Sequence, residues 1–169
     1  MFDPTVFDNL KVIVEGYIYD LDLEKLLVVT DRKDTIDLAT MSRLYSITIA
    51  KEDNKKRYVT IDIKMSQKQL AGELLKTIKE PGCVVKLSFH ERGNGQEYDE
   101  ILLKKLNKLW GQHIIKLFIT KEITGSNSHF SILYLVEFCT LFGERENDIE
   151  ELLHIVDHAI TLLQVNFEE

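Results

Sequence analysis

The sequence predicts an α+β fold: an antiparallel N-terminal meander joined to a mixed β-sheet with about three packing helices, in the order ββββ-α-β-α-ββ-α. Three observations carry this reading. Apolar residues alternate with a period of two through most of the first third of the chain. They recur at helical spacing near residues 66–78, 101–110 and 148–167, and alternation returns between those stretches.

Taken in order, Asp3 and Pro4 have the pattern of a cap followed by a first helical position, so residues 4–9 predict a single helical turn. From Leu10 the period becomes two. Leu10, Val12, Val14 and Ile18 fall on one side of a predicted strand. Residues 20–25, "DLDLEK", read as a turn, and residues 26–30 as a strand apolar on both faces. Residues 31–42 are polar and irregular and read as a loop. Tyr45, Ile47 and Ile49 then line one face of a strand over 43–51, and Val59, Ile61 and Ile63 line another over 57–64. The polar "KEDNKK" between them makes the pair a hairpin.

Ser66-x-x-Gln69 has the form of a capping box, and Leu70, Ala71, Leu74, Leu75 and Ile78 continue it as a helical face that Pro81-Gly82 ends. Cys83, Val85, Leu87 and Phe89 alternate as a strand. Ile101, Leu102, Leu106 and Trp110 predict a helix closed by Gly111, followed by a strand over 113–120 and a loop over 125–128. Across 129–142 the alternation of Phe130, Ile132, Tyr134, Val136 and Phe138 favours a strand, although the length also suits a buried helix. Residues 148–167 predict a helix with Asp148, Glu150 and Glu151 at its positive end.

Composition narrows the function classes. A chain of 169 residues with two prolines and no Gly- or Ser-rich tract fits a single globular domain over 1–169. The net charge of −7 disfavours nucleic acid and anionic membrane surfaces, both of which attract cationic proteins. Lys55-Lys56-Arg57 and Lys104-Lys105 with Lys108 read as solvated faces. Cys83 and Cys139 belong to no CxxC and lie in apolar runs, as buried thiols of a reducing compartment would. The N-terminal residues lack the pattern of a signal peptide, and no apolar run approaches a membrane span, so the expected location is cytoplasmic.

Four stretches hold chemistry-bearing residues. In "FHERGNGQEYDE", residues 89–100, Gly93 and Gly95 precede a helix as a phosphate cradle would require. However, Glu91, Glu97, Asp99 and Glu100 would repel an anion, and acids in a first helical turn have their own reason in the helix dipole. A metal reading of this stretch would use His90 and Glu91, with Glu97 and Asp99. In "HIVDH", His154 and His158 share a helix face beside Glu151, a set that would take a divalent metal such as zinc; Ile155 stands where HExxH has its glutamate. In "GSNSHF", Ser126, Ser128 and His129 are close in sequence, but neighbours in a strand point apart, and there is no GxSxG elbow. The acids Asp31, Asp34 and Asp37 form one group and Asp20, Asp22 and Glu24 another, at opposite ends of the expected hairpin.

No residue set has a catalytic spacing. The expected function is therefore a non-catalytic interaction or adaptor domain acting through protein–protein contacts, with a protein partner or a second copy as the occupant and no cofactor. Ile155 and Leu162 lie off the main apolar stripe of the last helix, which predicts a homodimer interface there, together with an open sheet edge. The alternative is a small-molecule-binding or metal-dependent α+β enzyme with a cleft site, drawing on Tyr17, Tyr19, His90, Glu91 or His113. A buried acid or histidine facing a pocket would favour that alternative.

Overall fold

β-Strands β1 (Val28–Asp37), β2 (Ser42–Lys51), β3 (Asn54–Met65) and β4 (Val84–Gly93) lie side by side in chain order as an antiparallel meander. The remaining elements are α1 (Val6–Leu23), α2 (Gln67–Leu74), α3 (Glu100–Trp110), β5 (Ile114–Thr124), β6 (Asn127–Glu137) and α4 (Glu146–Gln164). The computed structural model describes residues 5–93 and 95–164; the expected Asp3-Pro4 cap and the end of the last helix at 165–167 lie outside them, as does Asn94. The class is α+β, with a six-stranded sheet in the order β1-β2-β3-β4-β6-β5. After β4 the chain passes through α3 to the far edge, lays down β5, and returns by a hairpin as β6 between β4 and β5. β4 and β5 thus run in the same direction but never touch. Every adjacent pair is antiparallel, where the sequence suggested a mixed sheet.

The register places Tyr45, Ile47, Ile49, Val59, Ile61, Ile63, Val85, Leu87, Phe89, Ile132, Tyr134 and Val136 on one face, where all are buried. Phe7, Leu10, Val14 and Ile18 of α1, Leu102, Leu106 and Trp110 of α3, and Leu152, Val156, Ala159 and Leu163 of α4 pack into the same core. The helices therefore form one layer on one sheet face. On the opposite face, Ser46, Thr48, Tyr58, Thr60, Asp62, His90, Leu133 and Leu135 are only half-buried, and no helix crosses them among the described residues.

Three local expectations are corrected. Residues 10–18 are helical, inside α1, where a strand was expected. Leu10, Val14 and Ile18 fit both periods, but the full set Val6, Phe7, Leu10, Val14, Ile18 is a helical stripe and Val12 is 66 % exposed. Thr5 caps this helix, with its hydroxyl and the Asp8 side chain forming a reciprocal capping box. The expected loop at 31–42 is mostly strand, since β1 runs to Asp37. It reads as polar because it is an edge strand whose charges pair with neighbours. Finally, α2 ends at Leu74, before Pro81. Ile78 folds back onto Gly72, where a Cβ would lie 2.3 Å from its Cδ1.

Charges fasten α1 to the β1–β2 edge. Arg43 reaches Asp8 at 3.0 Å and Asp34 at 3.2 Å, Lys11 reaches Asp34 at 2.5 Å, and Arg32 reaches Glu15 at 3.0 Å. Burial works to raise the Asp8 and Asp34 carboxyls. For Asp8 the Thr5 hydroxyl and Arg43 outweigh it, and for Asp34 Lys11 and Arg43 do, so both sit below the usual carboxylate value.

Candidate functional site

In the 89–100 stretch, Glu91 and Asp99 are tied to partners within the chain. β4 keeps its alternation to Gly93, so His90 and Glu91 stay on opposite faces and do not meet as ligands. Glu91 accepts from Arg57 at 3.0 Å on the helical side, and Arg57 lies 3.7 Å from Asp99. Asp99 is the N-cap of α3, and its carboxylate accepts from the backbone N–H groups of Ile101 and Leu102, both at 3.0 Å. The amides that would hold a phosphate are thus taken by the chain's own carboxylate. The Tyr134 hydroxyl accepts from the Asp99 N–H at 2.7 Å and anchors the cap to β6.

His90 points to the uncovered face, where its ring stacks on Tyr58. Burial holds its pKa below the ordinary histidine value, against a smaller pull upward from Asp62. The two rings border a shallow groove of about 340 Å³ completed by Phe118, Thr120, Ser131 and Leu133. Along the rest of this face the polar groups are paired across strands. Thr48 with Thr60 and Ser46 with Asp62 are hydrogen-bonded, and Glu137 lies between Lys86 and Lys116.

On α4, His154, His158 and Glu151 are exposed, with His158 edge-on to Trp110 at 6.0 Å. No group of three or more His, Cys, Asp or Glu among the described residues is placed to hold a metal, so neither the α4 set nor His90 and Glu91 gathers a third ligand. Ile155 is 3 % exposed and Leu162 6 %; both belong to the core cluster, so the flank expected to face a partner faces this chain's own core. The simple stripe missed this because α4 sinks into the layer with apolar contacts over a wider arc.

The other predicted residues are dispersed. Ser126 lies in the β5–β6 turn, and Ser128 and His129 are exposed on alternate faces of β6. Asp22 accepts from the Val29 N–H at 3.1 Å, Asp37 accepts from the Ala39 N–H at 2.9 Å, and Asp31 is 3.6 Å from Lys33. Tyr17 donates to Asp157, joining α1 to α4, and its hydroxyl is pushed up to about 12 by that bond and by burial. His113 Nδ1 accepts from the Cys139 N–H at 3.1 Å. Cys83 is buried as expected, but Cys139 is exposed in the turn after β6.

Two features were not found from sequence. One is Glu73, which borders a cavity of about 740 Å³ with Val6, Lys79, Glu144, Arg145 and Asp148. Its Oε1 accepts from the Val6 N–H at 2.8 Å, while burial raises its carboxyl. The other is the free edge of β5, whose Ile114, Phe118, Ile119 and Ile123 are all exposed, Ile123 at 67 %. Sequence reasoning expected an open edge without locating it.

No family model matches this chain, and no curated protein or solved structure matches it significantly. No helix among the described residues is long and apolar enough to cross a membrane.

Proposed function

We propose that this protein is a non-catalytic interaction module of the cytoplasm that works through protein–protein contacts, including contacts with itself. One observation carries the reading: β5 is an edge strand of eleven residues that exposes apolar side chains on both faces, and among the described residues no strand pairs with its outer edge. Such an edge presents a row of backbone donors and acceptors to an incoming strand, and its side chains add selectivity. The adjoining groove at Tyr58, His90 and Phe118 extends the surface onto the uncovered sheet face.

The test is a photo-crosslinking residue placed at Phe118 in the full chain inside cells, with Val12 on the exposed side of α1 as the control position. Protein adducts enriched at Phe118 are expected. Equal or absent adducts at the two positions would remove the support for this surface.

A second reading rests on Glu73. A carboxyl raised by burial beside a large cavity is what a ligand-binding or enzymatic cleft would contain. The first reading is preferred because one Glu73 oxygen is committed to the Val6 N–H at the start of α1. Native mass spectrometry of the purified protein separates the two. A retained small ligand that disappears in Glu73→Gln supports the cleft, and a bare chain counts against it.

A further inference from the structure

The interaction reading leaves open which partner β5 receives, and the inference here rests on that reading. We infer that β5 pairs with β5 of a second copy of this chain, antiparallel, about a two-fold axis at Ile119. In this register Lys116 of each copy stands opposite Glu122 of the other.

The backbone sets which residues face the free edge. β5 and β6 are joined by the two-residue turn Gly125-Ser126, with Gly125 at φ +62°, the sign a type II′ turn needs at its first central position. A two-residue turn closes on a hydrogen-bonded pair, here Thr124 and Asn127. Counting back by twos, residues 122, 120, 118, 116 and 114 also bond to β6. Residues 115, 117, 119, 121 and 123 therefore direct their N–H and C=O groups outward. The β5–β6 register shows no shift over its whole length, so these outward groups form an unbroken ladder.

The side chains select the register. Centred on Ile119, the pairing opposes Ile115 to Ile123 and Ile119 to itself on the helical side. On the open side it opposes Phe118 to Thr120 and Ile114 to Thr124. All four exposed apolar residues of β5 gain a neighbour. Lys116 and Glu122 meet at positions that are not hydrogen-bonded across the new interface, where side chains come closest. Among the described residues, Glu122 makes no ion pair and Lys116 pairs only with Glu137, at 3.5 Å. The pairing thus supplies two symmetric ion pairs.

The other edge of the sheet is built against such pairing. β1 carries Asp31, Arg32, Lys33 and Asp34 in succession, and its register slips between Val29 and Asp31. Charges and bulges of this kind blunt an edge, and β5 has no bulge.

The experiment is sedimentation over a range of concentrations with Lys116→Glu, Glu122→Lys and the combined variant, each checked for fold by circular dichroism. The wild type is expected to dimerise. Each single variant puts like charges opposite each other twice and weakens the dimer by roughly tenfold or more, and the combined variant recovers it. In a Cys139→Ser background, Ile119→Cys is expected to give a covalent dimer on oxidation, because paired Cα atoms about 5.5 Å apart are within disulfide reach. Ile36→Cys on β1 is expected to give none. A wild type that is monomeric throughout, or a combined variant as weak as the singles, overturns the β5 pairing, as does failure of the Ile119→Cys variant to cross-link. A dimer indifferent to all these changes overturns the pairing while leaving the interaction reading intact.

Discussion

Tyr58 and His90 face each other across β3 and β4 with ring centroids 4.6 Å apart and planes 15° from parallel. The stack takes the His90 imidazole partly out of water on a face that no helix covers among the described residues. Cationic imidazolium loses most from that desolvation, so the neutral ring is favoured. A histidine that looked like a ligand is held by its neighbours in the form that packs.

A pH dependence follows. The unfolded chain binds a proton at His90 near the ordinary value of 6.5, and the folded chain only at lower pH. The His90 contribution to stability is therefore fully present above the unfolded value and is lost as pH falls through it toward the folded value. An NMR titration should place the His90 midpoint below 6.5. Between about pH 7.5 and 5.5, wild type should lose more stability than His90→Phe, which keeps a stacked ring without the proton. Equal losses in the two proteins would contradict this assignment.

Ile155→Asp separates a core residue from an interface residue. At 3 % exposure the new carboxylate would be buried without a partner, which costs at least about 3 kcal/mol. A large drop in the urea midpoint is expected, and Leu162→Asp should behave alike. A variant with unchanged midpoint that merely elutes later from a sizing column would place this face at a dimer contact after all.

The two strongest sequence signals were right for physical reasons that act locally. β2 and β3 alternate because one face is buried and the other half-wet, so alternation alone assigns Tyr45, Ile47, Ile61 and Ile63 to the core. α1 was misread because Leu10, Val14 and Ile18 satisfy periods of two and of four together, and only burial of Phe7 against exposure of Val12 breaks the tie. β1 is legible only at its start, inside the strand expected over 26–30, because the rest of an edge strand needs no apolar face when its charges pair with α1. Glu73 was invisible because its role depends on the Val6 amide, 67 residues away in sequence. The free edge of β5 depends on β6 inserting between β4 and β5, a choice of topology that the residues of β5 do not encode.

The thiols should differ in reactivity. Burial pushes the Cys83 thiol up to about 12, leaving almost no thiolate at neutral pH, whereas Cys139 is exposed. A disulfide reagent should titrate one thiol quickly in the native protein and a second only in denaturant. Cys139→Ser should abolish the fast reaction and leave the slow one. Two fast thiols in the native chain would show that β4 and its cover open far more readily than a packed core allows.

The cap of α3 offers the sharpest test of how residues 89–100 work. Tyr134→Phe keeps the ring in the core but removes the acceptor for the Asp99 N–H, at a cost of about 1 kcal/mol. Amide exchange at residues 99–102 should accelerate with it. Asp99→Ala goes further, because it frees the Ile101 and Leu102 amides that the carboxylate now holds. It should cost about 1 kcal/mol as a lost N-cap. It should also convert the helix start into an anion site, because the exposed amides and helix dipole then lack a carboxylate. Sulfate should consequently raise the melting temperature of Asp99→Ala more than that of wild type. Equal sulfate effects would mean that the Asp99 carboxylate does not occupy those amides in solution, and would reopen the phosphate reading of the two flanking glycines.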